Sequence, residues 1–206
     1  AGAMERGRAL ARRNIAAFEA ADADFVVTNA AGCGAALKEY GRLLAGDGDW
    51  HVRAAAFTAR VRDLTELLGG LLAAGELNTA FTPLPLRVTY QEACHLVHAQ
   101  RISLQPRELL RAIPGLELVE MEEPALCCGS AGVYNLTRPA MAARLGQRKL
   151  RHLGATDAAV VATANPGCAL HLGALLRQRG SPQRVVHIVD LLDAAYTGVR
   201  DGLGGE

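Results

Sequence analysis

The sequence predicts an α/β protein of layered domains with mainly parallel sheets, in which one complete unit follows a partial copy of itself. Two observations carry this. A shift of 135 residues lays Val26-Val27-Thr28-Asn29-Ala30-Ala31-Gly32-Cys33 over Val161-Ala162-Thr163-Ala164-Asn165-Pro166-Gly167-Cys168, with Val, Thr, Gly and Cys coincident. Short apolar runs also alternate with helical stretches, the pattern of βα units stacked on a parallel sheet.

The elements follow in order. Ala3 to Ala20 is rich in Arg and Ala and reads as a helix leading into the β-type run at Val26, and Gly34 to Leu44 reads as the next helix. Trp50 to Gly75 reads as one long helix, with Val52, Ala56, Ala59, Leu64, Leu67, Leu68 and Leu71 on its apolar face. Leu77 to Pro85 is a linker stiffened by Pro83 and Pro85. The complete unit opens with a strand-like run at Leu86 to Tyr90. Pro106 to Ala112 is a helix with proline suited to its first turn. Leu116 to Val119 is a second strand run, bounded by Pro114-Gly115 and Pro124. Thr137 to Leu153 is a helix opened by Thr137 and Pro139 and closed by Gly154. Ala158 to Thr163 is short and apolar, as a buried parallel strand is. Ala169 to Arg179 reads as a helix, Arg184 to Ile188 as a strand and Val189 to Tyr196 as a final helix. The domain reading is the second half of a first repeat over 1–48, a connecting helix and linker over 49–84, a complete unit over 85–198, and a Gly-rich flexible tail over 199–206. The first copy reads as lacking its front half.

Composition excludes several function classes. With 22 Lys+Arg against 21 Asp+Glu, the formal charge of +1 argues against a field-driven nucleic-acid binder. No apolar run approaches the roughly 20 residues of a membrane span. The first fourteen residues carry charges throughout, with no apolar core of a signal peptide. Half of the residues are apolar, which argues against disorder. Only Lys38 and Lys149 are lysines, a bias that reads as base composition.

The five cysteines hold the chemistry. Cys94 follows the Leu86–Tyr90 run, Cys127 and Cys128 follow the Leu116–Val119 run, and Cys168 follows Ala158–Thr163. Loops at the carboxyl ends of parallel strands converge on one crevice, so these four thiols should meet. Four thiolates suit zinc or an iron–sulfur cluster. Adjacent Cys127 and Cys128 suit a multinuclear cluster better than one tetrahedral ion, because neighbouring side chains diverge. Helices opening just after Cys128 and Cys168 should point positive dipole ends at an anionic group. The alternatives are a redox-exchanging Cys127–Cys128 disulfide and simple burial as small hydrophobes.

Glu92-Ala93-Cys94-His95-Leu96, Cys127-Cys128-Gly129-Ser130-Ala131-Gly132 and Asn165-Pro166-Gly167-Cys168 together resemble the cysteine-rich CCG domain. That domain occurs in the iron–sulfur subunit of glycolate oxidase, in lactate-utilisation iron–sulfur proteins and in one of the subunits of heterodisulfide reductase. Cys94 to Gln100, with Gln105-Pro106-Arg107 and Cys127 to Asn135, is most similar to the glycolate oxidase subunit. The resemblance implies a [4Fe-4S] cluster, or in some copies zinc, held by Cys94, Cys127, Cys128 and Cys168. It implies a non-catalytic electron-transfer subunit of a glycolate dehydrogenase-type complex. Such a subunit takes electrons from flavin-containing dehydrogenase subunits and relays them towards the respiratory chain. The implied location is the cytoplasm, or the inner face of the cell membrane through the complex. The alternative is a zinc-binding structural or assembly module without redox activity. The chain departs from the pattern in lacking ferredoxin-like cysteine repeats, in Ala93 before the first cysteine, and in His171 where some relatives have a second cysteine.

The remaining candidates have plainer readings. His95 is expected to orient the Cys94 loop, and a Cys–His catalytic pair with His95 or His98 lacks a third orienting group. His171, one helical turn after Cys168, is either a fifth ligand or a solvated residue. Glu120, Glu122 and Glu123 read as a solvated acidic loop. Gly129-Ser130-Ala131-Gly132 lacks the Gly-Lys-Ser/Thr ending of a phosphate loop. Cys33 is expected to be a free thiol.

Overall fold

The computed structural model describes residues 3–200 and 203. Its first unit runs α1 (Met4–Ala20), β1 (Val26–Thr28), α2 (Ala31–Lys38), α3 (Tyr40–Leu43), α4 (Trp50–Arg60), β2 (Val61–Asp63) and α5 (Leu64–Ala73). Strands β1 and β2 are parallel, with Val26 opposite Val61 and Thr28 opposite Asp63. Ala11, Ile15, Val26, Leu44, Ala54, Phe57 and Val61 form the core beneath them.

The expectation of one helix from Trp50 to Gly75 is corrected, since the segment holds two helices with a strand between them. Val61 is buried against β1, and Asp63 starts a new helix. The Asp63 Oδ1 accepts from the Thr65 N–H (2.8 Å) and hydroxyl (2.6 Å). The Glu66 carboxylate accepts from the Asp63 N–H, completing a capping box. Val52, Ala56 and Ala59 of the expected apolar face are exposed, and α4 buries Ala54 and Phe57 instead. The helix expected from Gly34 likewise begins at Ala31, which places Cys33 in its first turn.

The second unit runs β3 (Arg87–Tyr90), a π-helical turn at His95–Ala99, α6 (Leu104–Arg111), β4 (Glu117–Val119), α7 (Tyr134–Thr137), α8 (Pro139–Ala155), β5 (Val160–Thr163), α9 (Pro166–Gln178), β6 (Arg184–His187) and α10 (Ile188–Thr197). All four strands are parallel, in the order β4-β3-β5-β6. Every residue of β5 is buried, as its apolar run predicts. One layer of core joins Val88, Tyr90, Leu109, Leu110, Ile113, Leu191 and Leu192. The other joins Leu150, Leu153, Leu172 and Leu176. The chain leaves β3 for one side of the sheet and later returns to its other side as β5. The crevice for a ligand therefore opens at the carboxyl ends of β3 and β5.

The repeat extends further than the sequence suggests. Thr163 pairs with His187 as Thr28 pairs with Asp63. His187 caps α10 through Nδ1, which accepts from the Val189 N–H, and Asp190 accepts from the His187 N–H. Val61 to Leu68 thus plays the part of Val185 to Leu192, and we propose that the first repeat runs through Ala73 rather than ending at residue 48.

The two units touch directly. The Ala31 N–H donates to the Ala164 carbonyl and the Gly32 N–H to Asn165 Oδ1, each at 3.3 Å. Gln100 Nε2 donates to the Ala31 carbonyl at 2.9 Å. Gly69 of α5 lies against Gln105 so closely that a Cβ there would meet the Gln105 Cβ at 2.6 Å. Of the expected flexible tail, Leu203 is buried in the main core, Val199 and Arg200 are exposed, and 201–202 and 204–206 lie outside the described residues.

Candidate metal centre

Strand ends deliver the four thiols. Four residues after Tyr90 ends β3, Cys94 caps the π-helical turn; after β4 the chain loops to Cys127 and Cys128; after β5, Cys168 sits in the first turn of α9. Cys128 and Cys168 are buried and Cys94 and Cys127 partly so. Cys128 Sγ lies 3.3 Å from Cys168 Sγ. Cys127 lies near enough to Cys94 and Cys128 for both to lower its pKa. All four expected sulfurs are therefore brought together.

Their protons divide unevenly. Hydrogen bonds from Cys128, Cys94 and the Gly129 N–H hold the Cys127 thiol far below its usual range. Cys168 is lowered by hydrogen bonds from Cys128 and from Asn165 Nδ2. Cys94 and Cys128, as the donors to these thiolates, are pushed up. Binding by four thiolates would displace whatever protons these sulfurs hold.

Polar hydrogen aims at the sulfurs from three sides. The Gly129 N–H reaches Cys127 Sγ at 3.4 Å and the Ser130 N–H reaches Cys128 Sγ at 3.5 Å, while Asn165 Nδ2 reaches Cys168 Sγ at 3.4 Å. The backbone permits this because Gly129 (φ +99°) and Gly132 (φ +66°) take left-handed conformations around Ala131 (φ +36°). No helix opens directly after Cys128, which corrects the expected dipole there. The short α7 begins only at Tyr134, and two turn amides do the work instead.

A cavity of about 420 Å³ fronts the sulfurs. Cys94, Cys128, Cys168, His95 and Ser130 line it from the second unit, and Ala30, Gly32 and Cys33 from the first. The first turns of both α2 and α9 thus face one space, an arrangement that favours an anion. This donor set, four sulfurs with amide and side-chain N–H groups, fits a thiolate-ligated iron–sulfur cluster. Among the described residues no set of three or more His, Cys, Asp or Glu side chains is arranged to hold a single ion as it stands.

The other candidates fall as follows. His95 lines the cavity, and its backbone N–H hydrogen-bonds to Cys94. His98 is exposed and reaches the Ala125 carbonyl at 3.3 Å. His171 is half-buried with its Nε2 unpartnered against Gly129, and burial lowers its pKa. The acidic loop is solvated as expected, with Glu120, Glu122 and Glu123 all exposed, and it carries surface ion pairs. Glu120 meets Arg107 and Arg111, Glu123 meets Arg148 and His152, and Glu122 meets His152. Cys33 is a free, exposed thiol, and it shares the cavity with the other cysteines.

Two features escaped the sequence reading. Glu92, two residues before Cys94, is buried and ion-paired with Arg107 of α6 at 2.5 Å. Lys149 of α8 is fully buried and donates to the carbonyls of Glu123 (2.7 Å) and Pro124 (3.1 Å). Its rarity as one of two lysines was the available signal.

Fold and site together define a two-unit α/β protein with a four-cysteine centre at its strand ends. Residues 1–38 and 88–173 match the model of the cysteine-rich domain family, CCG, and the chain belongs to that family. It is 44% identical over 193 residues to the probable glycolate oxidase iron-sulfur subunit of Bacillus subtilis (strain 168), covering 93% of this chain and 43% of that protein. It is 32% identical over 174 residues to lactate utilization protein A of Geobacillus kaustophilus (strain HTA426), covering 84% of this chain and 72% of that one. It is 35% identical over 190 residues to a subunit of the fumarate reductase (CoM/CoB) of Methanothermobacter marburgensis, covering 91% and 35%. The chain thus spans less than half of the first of these relatives. Among the described residues no helix is long and apolar enough to cross a membrane.

Proposed function

We propose that this chain is the cluster-bearing part of an iron–sulfur electron-transfer subunit, held in a hetero-oligomeric complex like that of glycolate oxidase. The single observation that carries this is the convergence of four cysteine sulfurs, met by amide and Asn165 N–H donors, beside a cavity faced by two helix N-termini. The names of the relatives, an iron-sulfur subunit of glycolate oxidase among them, support the same reading. Cys94, Cys127, Cys128 and Cys168 are the proposed ligands and a [4Fe-4S] cluster the proposed group, zinc being the alternative.

When bound, the cluster supplies one-electron redox chemistry. The chain's own residues do the rest. Gly129, Ser130 and Asn165 donate hydrogen bonds to sulfur, which stabilise negative charge there. The core of β5, α8 and α9 keeps water from the inner sulfurs, Cys128 and Cys168. The electron source is proposed to be a flavin-containing subunit that oxidises a 2-hydroxy acid. Electrons would then pass towards the respiratory chain, with the chain in the cytoplasm or at the inner face of the membrane.

Reduction of anaerobically loaded protein, followed by electron paramagnetic resonance, tests this. A reducible paramagnetic signal lost in Cys127→Ser and Cys168→Ser is expected. A protein that carries iron yet shows no reducible signal contradicts the electron-transfer role.

A further inference from the structure

Helix α8 lies on the cysteine loop through small residues. A Cβ at Gly129 would meet the Ala142 carbonyl at 2.5 Å, and a Cβ at Gly146 would stand 3.7 Å from the Cys128 carbonyl. Residues 142, 146 and 149 follow one another up the same helix face, so Lys149 lies one turn beyond the contact with Cys128. Ala142, Gly146 and Lys149 are all buried.

A buried ammonium needs compensation. Two carbonyls, those of Glu123 and Pro124, take two of its three protons. Both belong to the stretch that leads into Cys127, where Glu123 already adopts a left-handed φ of +51°. Burial pulls the Lys149 pKa down to about 8, while its neighbours Cys128, Glu123, Cys168 and Glu92 act in the opposite direction. Nearly every other cation of the chain is an arginine. The compact ammonium sits where water does not reach.

We propose that Lys149 is the fixed countercharge of the cysteine centre, tethering the loop before Cys127 and offsetting the negative charge gathered on the four sulfurs and the group they hold. In redox terms this inference rests on the iron–sulfur reading above; its electrostatic part applies to any anionic tetrathiolate. Lys149 is a positioning residue, acting through the loop and through its field. With a cluster in place, its positive charge favours the reduced, more negative state, so its loss makes the centre harder to reduce.

The test uses Lys149→Met and Lys149→Gln, the second keeping a donor for the Glu123 carbonyl if the first fails to fold. Iron and sulfide per chain of the unmodified protein decide the iron–sulfur reading on its own. If iron is present, a redox titration monitored by electron paramagnetic resonance should show the reduced-to-oxidised ratio at fixed potential falling about tenfold in the variants. That is a shift of about 59 mV to more negative potential. If iron is absent, Cd²⁺ titration read by thiolate charge-transfer absorbance should show about tenfold weaker binding of the metal in the variants. An unchanged potential in the first case, or unchanged cadmium affinity in the second, in a folded variant overturns the countercharge. A purely packing role would lower stability and leave both readouts where they were.

Discussion

Arg107 offers a sharp test of how the site is held. Its guanidinium pairs with Glu92 at 2.5 Å and with Glu120 at 2.8 Å, donates to the Ser103 carbonyl at 2.9 Å, and lies 5.4 Å from the centre of the Tyr90 ring. Glu92 is only 6% exposed. Arg107→Ala leaves that carboxylate buried without a cation, a change that typically costs about 3–5 kcal/mol. For a chain of this size that corresponds to a fall in melting temperature of roughly 6–12 °C at the lower figure. Glu92→Gln is milder because Arg107 keeps Glu120 and the Ser103 carbonyl, and about 1–2 kcal/mol is expected. The double variant should be more stable than Arg107→Ala alone, since the stranded charge has gone. Urea denaturation followed by circular dichroism measures all three. A loss below about 1 kcal/mol for Arg107→Ala, or equal losses for the two single variants, would refute the argument.

Two further predictions concern the backbone and pH. Gly129→Ala places a Cβ 2.5 Å from the Ala142 carbonyl at φ +99°, so it should cost at least about 2 kcal/mol and reduce metal loading, whereas Gly132→Ala, at φ +66° with open space around it, should cost about 1 kcal/mol. Similar melting points for the two variants would show that the loop yields. Burial raises the Asp63 carboxyl above its ordinary value of 3.8, and its Oδ2 has no partner. The folded chain then binds more protons at this group than the unfolded one, so its contribution to stability falls as pH rises through the window above 3.8. Asp63→Asn does not titrate and keeps an oxygen cap for Thr65, so the wild type should lose stability relative to it as pH rises above the ordinary carboxylate value of 3.8. A constant difference would contradict that assignment.

What the sequence made legible was whatever repeats or punctuates locally. The Val26–Cys33 and Val161–Cys168 match located β1 and β5, though the helices read from Gly34 and Ala169 start earlier, at Ala31 and Pro166, and the apolar Ala158–Thr163 run marked a strand buried on both faces. The four cysteines were readable because each follows a strand on the same end of a parallel sheet. Strand β2 was not readable, because three residues between two helices leave no period to detect and Val61 is strand-like only against β1. The Glu92–Arg107 pair and Lys149 were hidden for another reason. Their partners lie 15 residues or more away, and only burial tells a structural charge from a solvated one. Cys33 was expected to be a free thiol, and it is exposed. That it shares a cavity with Cys94, Cys128 and Cys168 depends on contacts between the two units.

Iron, zinc and acid-labile sulfide per chain, on anaerobically purified protein, test the central claim most directly. The account predicts iron with matching sulfide, about four of each for a [4Fe-4S] centre, both lost in Cys127→Ser. One zinc per chain without sulfide would contradict it and leave the same four cysteines as a structural site.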